Sequence, residues 1–278
     1  MSEHTLNRRE VLTAAAGVVA ATGLSAEAAA QTKRVPGVQL YTVRDSMAKD
    51  MEKTLQAIAG IGYREVEFAG YFGRTSDEVR AMLDRFGLDA PSTHINAENV
   101  GADPSAFVEH AGIIGHRYVT IAWIQPENRQ AIDDYKRWAE VANRLGEVCR
   151  ANGMRAAYHN HDFEFQPLEG ELPFEVLLRE TDPGLLDFEV DFYWVQNAGW
   201  EVRDALALAP ARMALSHIKD RDPTGTMVDV GDGTIDFAAI LADPVAAGIR
   251  HCFVEHDAPV DPFRSVAASH FALASILG

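Results

Sequence analysis

Cysteine is scarce in this chain. Cys149 and Cys252 are the only two in 278 residues, which allows at most one bridge and excludes a small disulfide-stapled scaffold. Basic residues are also short, with 25 lysines and arginines against 41 aspartates and glutamates and a formal net charge of −16. Such a balance opposes nucleic-acid phosphates and anionic lipid, both of which ask for a basic face. The apolar stretch from Val11 to Leu24, mostly Ala, Val and Gly, is about 14 residues and falls short of the ~20 that span a bilayer. No G-x-G-x-x-G follows the first strand-like segment, so nicotinamide chemistry loses most of its support, and no P-loop is present as a phosphate clamp. What is present is 47% hydrophobic and 24% charged. That composition excludes disorder, and at this length one α/β domain buries about three quarters of its unfolded surface.

Residues 1–30 read as a leader. Asn7-Arg8-Arg9-Glu10 is a charged start, Val11 to Leu24 a short and weakly hydrophobic middle, and Ser25-Ala26-Glu27-Ala28-Ala29-Ala30 a small-residue A-x-A cleavage site. The paired arginines resemble a twin-arginine export signal. The expected partner is therefore the twin-arginine export machinery, the expected location periplasmic or secreted, and stable membrane insertion is not expected. Export of a folded protein also allows metal loading in the cytoplasm, where availability can select the ion. Without the leader the chain loses two arginines and three glutamates, leaving 23 basic and 38 acidic groups, a net of −15.

Residues 31–278 carry a regular beat. Short apolar or β-branched runs occur at 38–41, 65–68, 90–94, 118–123, 155–159, 186–191, 213–218 and 251–255, eight in all. Helical periodicity fills several intervals, at 51–59, 76–86, 132–152 and 237–246. Gly62, Gly87, Gly115, Gly153 and Gly248 precede strands as candidate helix C-caps. Eight strand-helix alternations without a composition break predict an α/β fold, a single-domain (β/α)8 TIM barrel. Cys149 and Cys252 fall in apolar patterns and read as small core residues.

Barrel active sites lie at the C-terminal ends of the strands, and polar side chains collect there in this sequence. They are Gln39 and Tyr41, Glu67, His94, Trp123, His159 with His161, Asp191, His217 with Lys219, and Glu255 with His256. Strand alternation puts i and i+2 on one face, so His159 and His161 share the barrel mouth, as do His217 and Lys219. Titratable groups are costly to bury unpaired, and a metal ion accounts for their convergence economically. Imidazoles and carboxylates together suit a divalent first-row metal such as Mn, Co, Zn or Fe. Asp187 and Glu189 share the face of Asp191 at greater depth, where they would orient ligands. His251 begins its strand and reads as structural, whereas His110, His116 and His270 read as surface or helix-end residues.

Several passages resemble the sugar phosphate isomerase/epimerase family with its xylose-isomerase-like barrel. They are Gly37 to Asp45, Gly62 to Glu67, Tyr158-His159-Asn160-His161-Asp162-Phe163-Glu164-Phe165, His217-Ile218-Lys219-Asp220 and Val230 to Phe237. The resemblance covers essentially all of residues 31–278, in the right order, and implies a divalent metal held at the ends of strands five to eight. Asp191 matches the strand-six aspartate, His217 the strand-seven histidine and Glu255 the strand-eight glutamate. Many relatives have a strand-five glutamate where this sequence has His159, with Glu164 as an alternative carboxylate in the following loop. His161 then stands where xylose isomerases carry a catalytic lysine. Related epimerases have a histidine three residues after the strand-six aspartate, and here that position is Trp194.

The expected function is a divalent-metal-dependent isomerase or epimerase that abstracts a proton next to a carbonyl on a free or oxidised sugar. His161 is the expected base, because an unperturbed imidazole titrates at about 6.5, near the working pH. Glu255 joins the catalytic set mainly as a ligand. Lys219 is expected to hold a substrate oxygen, or else to pair with Asp220 or Asp191. Tyr41, Trp123 and Trp194 are candidate stacking walls, with Tyr193 beside them, and Glu67, His94 and Arg44 are candidate partners for hydroxyls. Few arginines occur near the predicted rim, which favours an unphosphorylated substrate. The alternatives are a lyase eliminating from keto-glycosides and a non-catalytic periplasmic sugar-binding protein.

Overall fold

The computed structural model describes residues 34–101 and 103–278, so the leader assigned to residues 1–30 lies outside the described residues. Eight parallel strands close into a barrel: β1 Pro36–Gln39, β2 Glu65–Phe68, β3 Asp89–Asn96, β4 Tyr118–Trp123, β5 Arg155–His159, β6 Leu186–Asp191, β7 Met213–Ile218 and β8 His251–Val254. Each pairs with its sequence neighbours, and β8 returns to β1 with Cys252 opposite Pro36 and Val254 opposite Val38. Barrel strands are covered on both faces, which is why β6 and β7 are buried at every position. The α/β single-domain TIM barrel expected from the sequence is thus the fold observed.

The helices pack outside through one apolar stripe each. Ser76–Phe86 buries Val79, Met82 and Leu83, opens on a capping box between Thr75 and Glu78, and ends at left-handed Gly87. Ile132–Ala151 buries Tyr135, Ala139, Ala142, Leu145 and Cys149 along its inner face. Cys149 and Cys252 are both free and buried, as small core residues. No helix among the described residues is long and apolar enough to cross a membrane.

Three expectations change. β1 stops at Gln39 rather than running to Tyr41, because the Gln39 side chain accepts the Tyr41 N–H and turns Leu40–Val43 into a 3-10 turn. Gly248 caps no helix. It sits where backbone is close, since a Cβ there would lie 2.6 Å from Pro210 O. His116 is buried rather than superficial, with Nδ1 2.6 Å from Ala90 O and Nε2 2.9 Å from Tyr71 Oη. His251 is structural as expected, its Nδ1 lying 2.8 Å from Glu65 Oε2.

After β7 the chain forms a short antiparallel ribbon, Asp220–Arg221 against Met227–Val228. The Asp220 carboxylate accepts the N–H groups of Arg221, Gly231, Gly233 and Ile235. Gly233 is required for that closeness, because a Cβ would stand 2.2 Å from Asp220 Oδ1.

Candidate metal centre and active site

The strand ends deliver one polar cluster to the barrel mouth: Glu67 from β2, His94 from β3, His159 from β5, Glu189 and Asp191 from β6, His217 from β7 and Glu255 just past β8. All are buried except His94, which is nearly so. His217 stands at the centre with its two ring nitrogens facing different neighbours. Nε2 lies 2.7 Å from Glu67 Oε2 and 3.3 Å from Glu189 Oε2, while Nδ1 lies 2.8 Å from Glu255 Oε2 and 3.9 Å from Asp191 Oδ2. His159 straddles the same two tiers, with Nδ1 3.7 Å from Glu189 Oε2 and Nε2 3.9 Å from Asp191 Oδ2. In the deeper tier His94 Nε2 lies 2.7 Å from Glu189 Oε2 and 3.1 Å from Glu67 Oε2, and Gln39 Nε2 donates to Glu67 Oε2 at 2.7 Å.

Glu67 and His94 were expected to meet sugar hydroxyls, but the structure commits both to this deeper tier. Glu67 lies beneath His217 and is fully buried. Its contact with Nε2 fixes the ring so that Nδ1 faces Asp191 and Glu255, as carboxylates behind a ligating imidazole do. Glu189 shares that work, as its place on the face of Asp191 implied. Asp187 does not: it pairs with Arg155 Nε at 2.6 Å, away from the cluster.

Charge is balanced inside the cluster. Burial works to discharge each group, yet the Glu67 and Glu189 carboxylates hold His94 up at about 9. Against the same burial, Glu189 and Glu255 keep His217 well above the usual imidazole range. Glu67, for all its burial, is pulled well below the carboxylate range by His94 and His217, and Glu255 is pulled down by Lys219 and His217. Asp191 goes the other way, to about 6, because burial outweighs the pull of Lys219 and His217. Lys219 is itself buried, with Nζ 3.1 Å from Asp191 Oδ2, 2.7 Å from Glu255 Oε2 and 2.8 Å from Asp257 Oδ1. Burial alone would lower it, but those carboxylates keep it a firm ammonium. Of the two pairings considered for Lys219, Asp191 is made and Asp220 is not.

These donors fit a divalent cation. The ligating atoms of Asp191, His217 and Glu255 lie within 4.8 Å of one another, as do those of His94, His159, Glu189 and His217. Asp191 Oδ2, His217 Nδ1 and His159 Nδ1 are buried without a well-formed hydrogen bond, a condition a cation would relieve. Carboxylate oxygens with imidazole nitrogen are the mixed donors that first-row divalent metals take.

Beside the cluster, His161 sits among aromatic rings. Its centroid is 4.7 Å from Trp123, 5.4 Å from Phe163 and from Trp194, and 4.9 Å from His159. Arg129 closes the outside, its guanidinium 3.3 Å from the Phe163 centroid and 5.0 Å from that of Trp123. His161 Nδ1 is buried without a partner. Its titration is not the unperturbed one expected, since burial first and the Lys219 ammonium second push it well below the ordinary range. Trp194 is fixed by its backbone N–H on Asp191 Oδ1 at 3.0 Å, with its ring 5.7 Å from Lys219 Nζ. Tyr41 stands apart on the rim, under the Arg44 guanidinium at 4.1 Å. Sequence reasoning overlooked Arg129, Phe163 and Asp257, although Asp257 follows Glu255 at the i+2 spacing used elsewhere along the rim.

Glu164, the alternative strand-five carboxylate, faces Tyr158 and the backbone rather than the cluster. It accepts the Tyr158 hydroxyl at 2.6 Å and the His161 N–H at 2.8 Å. Burial, only partly offset by these bonds, raises it from 4.5 to about 7. As pH rises between those two values the unfolded chain gives up the proton while the folded chain keeps it, so stability declines through that window. The full span corresponds to about 3 kcal/mol. Glu164→Gln should remove this share of the decline, gaining melting temperature over the parent at pH 8 but not at pH 4; melting curves that stay parallel to the parent's across pH would refute it.

Comparisons with known proteins agree with this architecture. The family described as xylose isomerase-like TIM barrel matches residues 55–258. Inosose dehydratase of Salmonella typhimurium is 23% identical over 229 residues, covering 69% of this chain and 75% of the relative. A sugar phosphate isomerase/epimerase of Parabacteroides distasonis superposes with a TM-score of 0.76 at 25% identity, covering 88% and 94% of the two chains. The IOLI protein, whose crystal structure has a bound zinc atom, superposes with a TM-score of 0.69 at 14% identity, covering 87% and 98%.

Proposed function

From a chain that belongs to the xylose isomerase-like TIM barrel family, whose buried His, Glu and Asp cluster is consistent with the divalent-metal site typical of that family, we propose a sugar isomerase or epimerase. It would act by proton transfer next to a carbonyl of an unphosphorylated sugar. The observation that carries this reading is the joint placement of Asp191, His217 and Glu255 beside the unpartnered imidazole of His161. Asp191, His217 and Glu255, with His159 across from them, would hold the cation; when bound, it supplies Lewis-acid polarisation of carbonyl and hydroxyl oxygens. His161 takes the carbon-bound proton and returns it to the same or the adjacent carbon. Lys219 donates to the oxygen on which negative charge grows. Trp123, Phe163 and Trp194 hold the ring and exclude water. Glu67, His94 and Glu189 keep His217 and His159 in place.

A second reading, a dehydratase, is favoured by the ammonium of Lys219 and by the kinship with inosose dehydratase. There the same abstraction is followed by departure of a β-hydroxyl, which leaves as water with a proton from Lys219 while the electron pair forms the double bond. Export by the twin-arginine route, with function in the periplasm, belongs to the same proposal and is supported by the pattern of residues 1–30. Finding the unprocessed chain in the cytoplasm alone would overturn that part.

Solvent-deuterium exchange into free ketoses and oxidised glycosides, followed by NMR, tests the reaction, and growth of an enone absorbance separates the dehydratase. His161→Ala should cut exchange about 10²- to 10⁴-fold while bound metal stays unchanged. Exchange at the parent rate would remove His161 from the reaction.

A further inference from the structure

Past β5 the chain makes a tight turn at Leu168–Glu171, closed by the Leu168 N–H on Glu171 O at 2.9 Å and the Glu171 N–H on Leu168 O at 3.0 Å. Both central residues are left-handed, Glu169 with φ +51° and Gly170 with φ +86°, the pattern of a type I′ turn. Glycine, asparagine and aspartate are the usual occupants of the first place, and glutamate there is strained. Such strain persists where the surroundings over-determine it, and is a reason to look for function.

The Glu169 side chain shows what holds it. Its Oε2 accepts the backbone N–H of Ile132 at 2.9 Å, in the first turn of the helix Ile132–Ala151, where N–H groups lack helical partners and the dipole favours an anion. That helix does not depend on the bond. Asp134 Oδ2 already accepts the N–H groups of Gln130 and Ala131, and seven of the twenty helical residues are buried. The turn, by contrast, is loosely packed. Pro167, Glu169, Gly170 and Glu171 are exposed, and Pro167, Gly170, Leu172 and Trp200 border an open cleft of about 360 Å³. The bond therefore serves the turn more than the helix.

The two segments joined in this way build the His161 box. The segment after β4 carries Arg129, and the segment after β5 carries His161 and Phe163, with the guanidinium 3.3 Å from the Phe163 centroid. Each segment has a second anchor on its far side: the Gln125 N–H donates to Glu98 Oε1 at 2.8 Å, and Asn197 Nδ2 donates to Asp162 Oδ2 at 2.8 Å. Between the two segments themselves, the Glu169–Ile132 bond is the one hydrogen bond among the described residues.

We propose that Glu169 is a positioning residue: its strained turn latches the segment after β5 to the segment after β4, and so keeps Phe163 against Arg129 and the aromatic box closed around His161. This rests on the sugar reading of the site, in which His161 moves the proton.

Glu169→Gly removes the latch and accepts the left-handed backbone. The bond lost and the strain relieved oppose each other, so the melting temperature should stay near the parent's. Solvent-deuterium exchange into a ketose that the parent exchanges should still fall about tenfold in kcat/KM, because a misplacement of about 1 Å at a reacting centre can cost about 10²-fold. Bound metal should not change, and Glu169→Gln, which keeps an acceptor oxygen, should restore the parent rate. Acrylamide quenching of tryptophan emission reads the box without turnover. In the full-length metal-loaded protein it should increase in Glu169→Gly but not in Glu169→Gln, and the increase should vanish when Trp123 is also replaced by Phe. Parent-level exchange in Glu169→Gly, a loss that Glu169→Gln does not restore, or a quenching increase that persists without Trp123 overturns the proposal. If the parent exchanges no ketose while the quenching pattern holds, the sugar reading fails and the latch stands. Exchange in the parent without that quenching pattern leaves the sugar reading and removes the latch.

Discussion

Replacing Asp191 and Glu255 together by alanine should reduce bound divalent metal from about one per chain to below a tenth and abolish proton exchange. The two carboxylates and His217 Nδ1 are the donors of the outer tier. Removing both carboxylates leaves the imidazoles of His217 and His159, and two nitrogens without an anionic donor hold a first-row ion weakly. The double variant also leaves Asp257 as the one carboxylate paired with Lys219 and takes Glu255 from His217 Nδ1, so the outer side loses the negative charge that attracts a cation. Elemental analysis after dialysis decides the matter. Full metal content would overturn the outer tier as the metal site and move the ion to His94, His159, Glu189 and His217, the other group of donors within reach of one another.

Lys219→Met should destabilise the protein in chelator by about 3–5 kcal/mol, the usual consequence of removing one partner from a buried charge pair. Asp191, Glu255 and Asp257 all lean on this ammonium, and among the described residues no other cation pairs with the Asp257 carboxylate. For a chain of this size that is a fall of roughly 10 °C in melting temperature. Added Mn or Zn should restore part of it, since a cation between Asp191 and Glu255 replaces the missing charge and binds only the folded form. An unchanged melting temperature in chelator would mean that these carboxylates are solvated or protonated without Lys219. The same substitution should lower proton exchange even with metal present, because the donor to the growing negative charge is gone.

Much of this was readable from sequence because the information was local. The spans of β2, β4, β5, β6 and β7 follow from apolar runs bounded by helix patterns, and their positions at strand ends placed Asp191 and His217 at the mouth. The end of β1 was not legible, because it is set by one side-chain bond from Gln39. Asp187 and Asp191 share a face, but four residues of strand separate them by about 13 Å, enough to send Asp187 to Arg155 instead. The commitment of Glu67 and His94 to a deeper tier depends on bonds to His217 and Glu189, which no local pattern announces. The depressed basicity of His161 likewise comes from neighbours on other strands.

The deeper tier also bears on how the chain reaches this structure. His217 lies 150 residues from Glu67, and His94 lies 95 from Glu189. An incomplete barrel would expose or strand these charges, since each finds its partner only when distant strands have met. Hydrophobic strands alone tolerate a sheet that closes early or slips by one strand, whereas a charged interior penalises such mispairings. The layer that orients the ligands thereby makes closure all-or-none, at the cost of slow, long-range assembly.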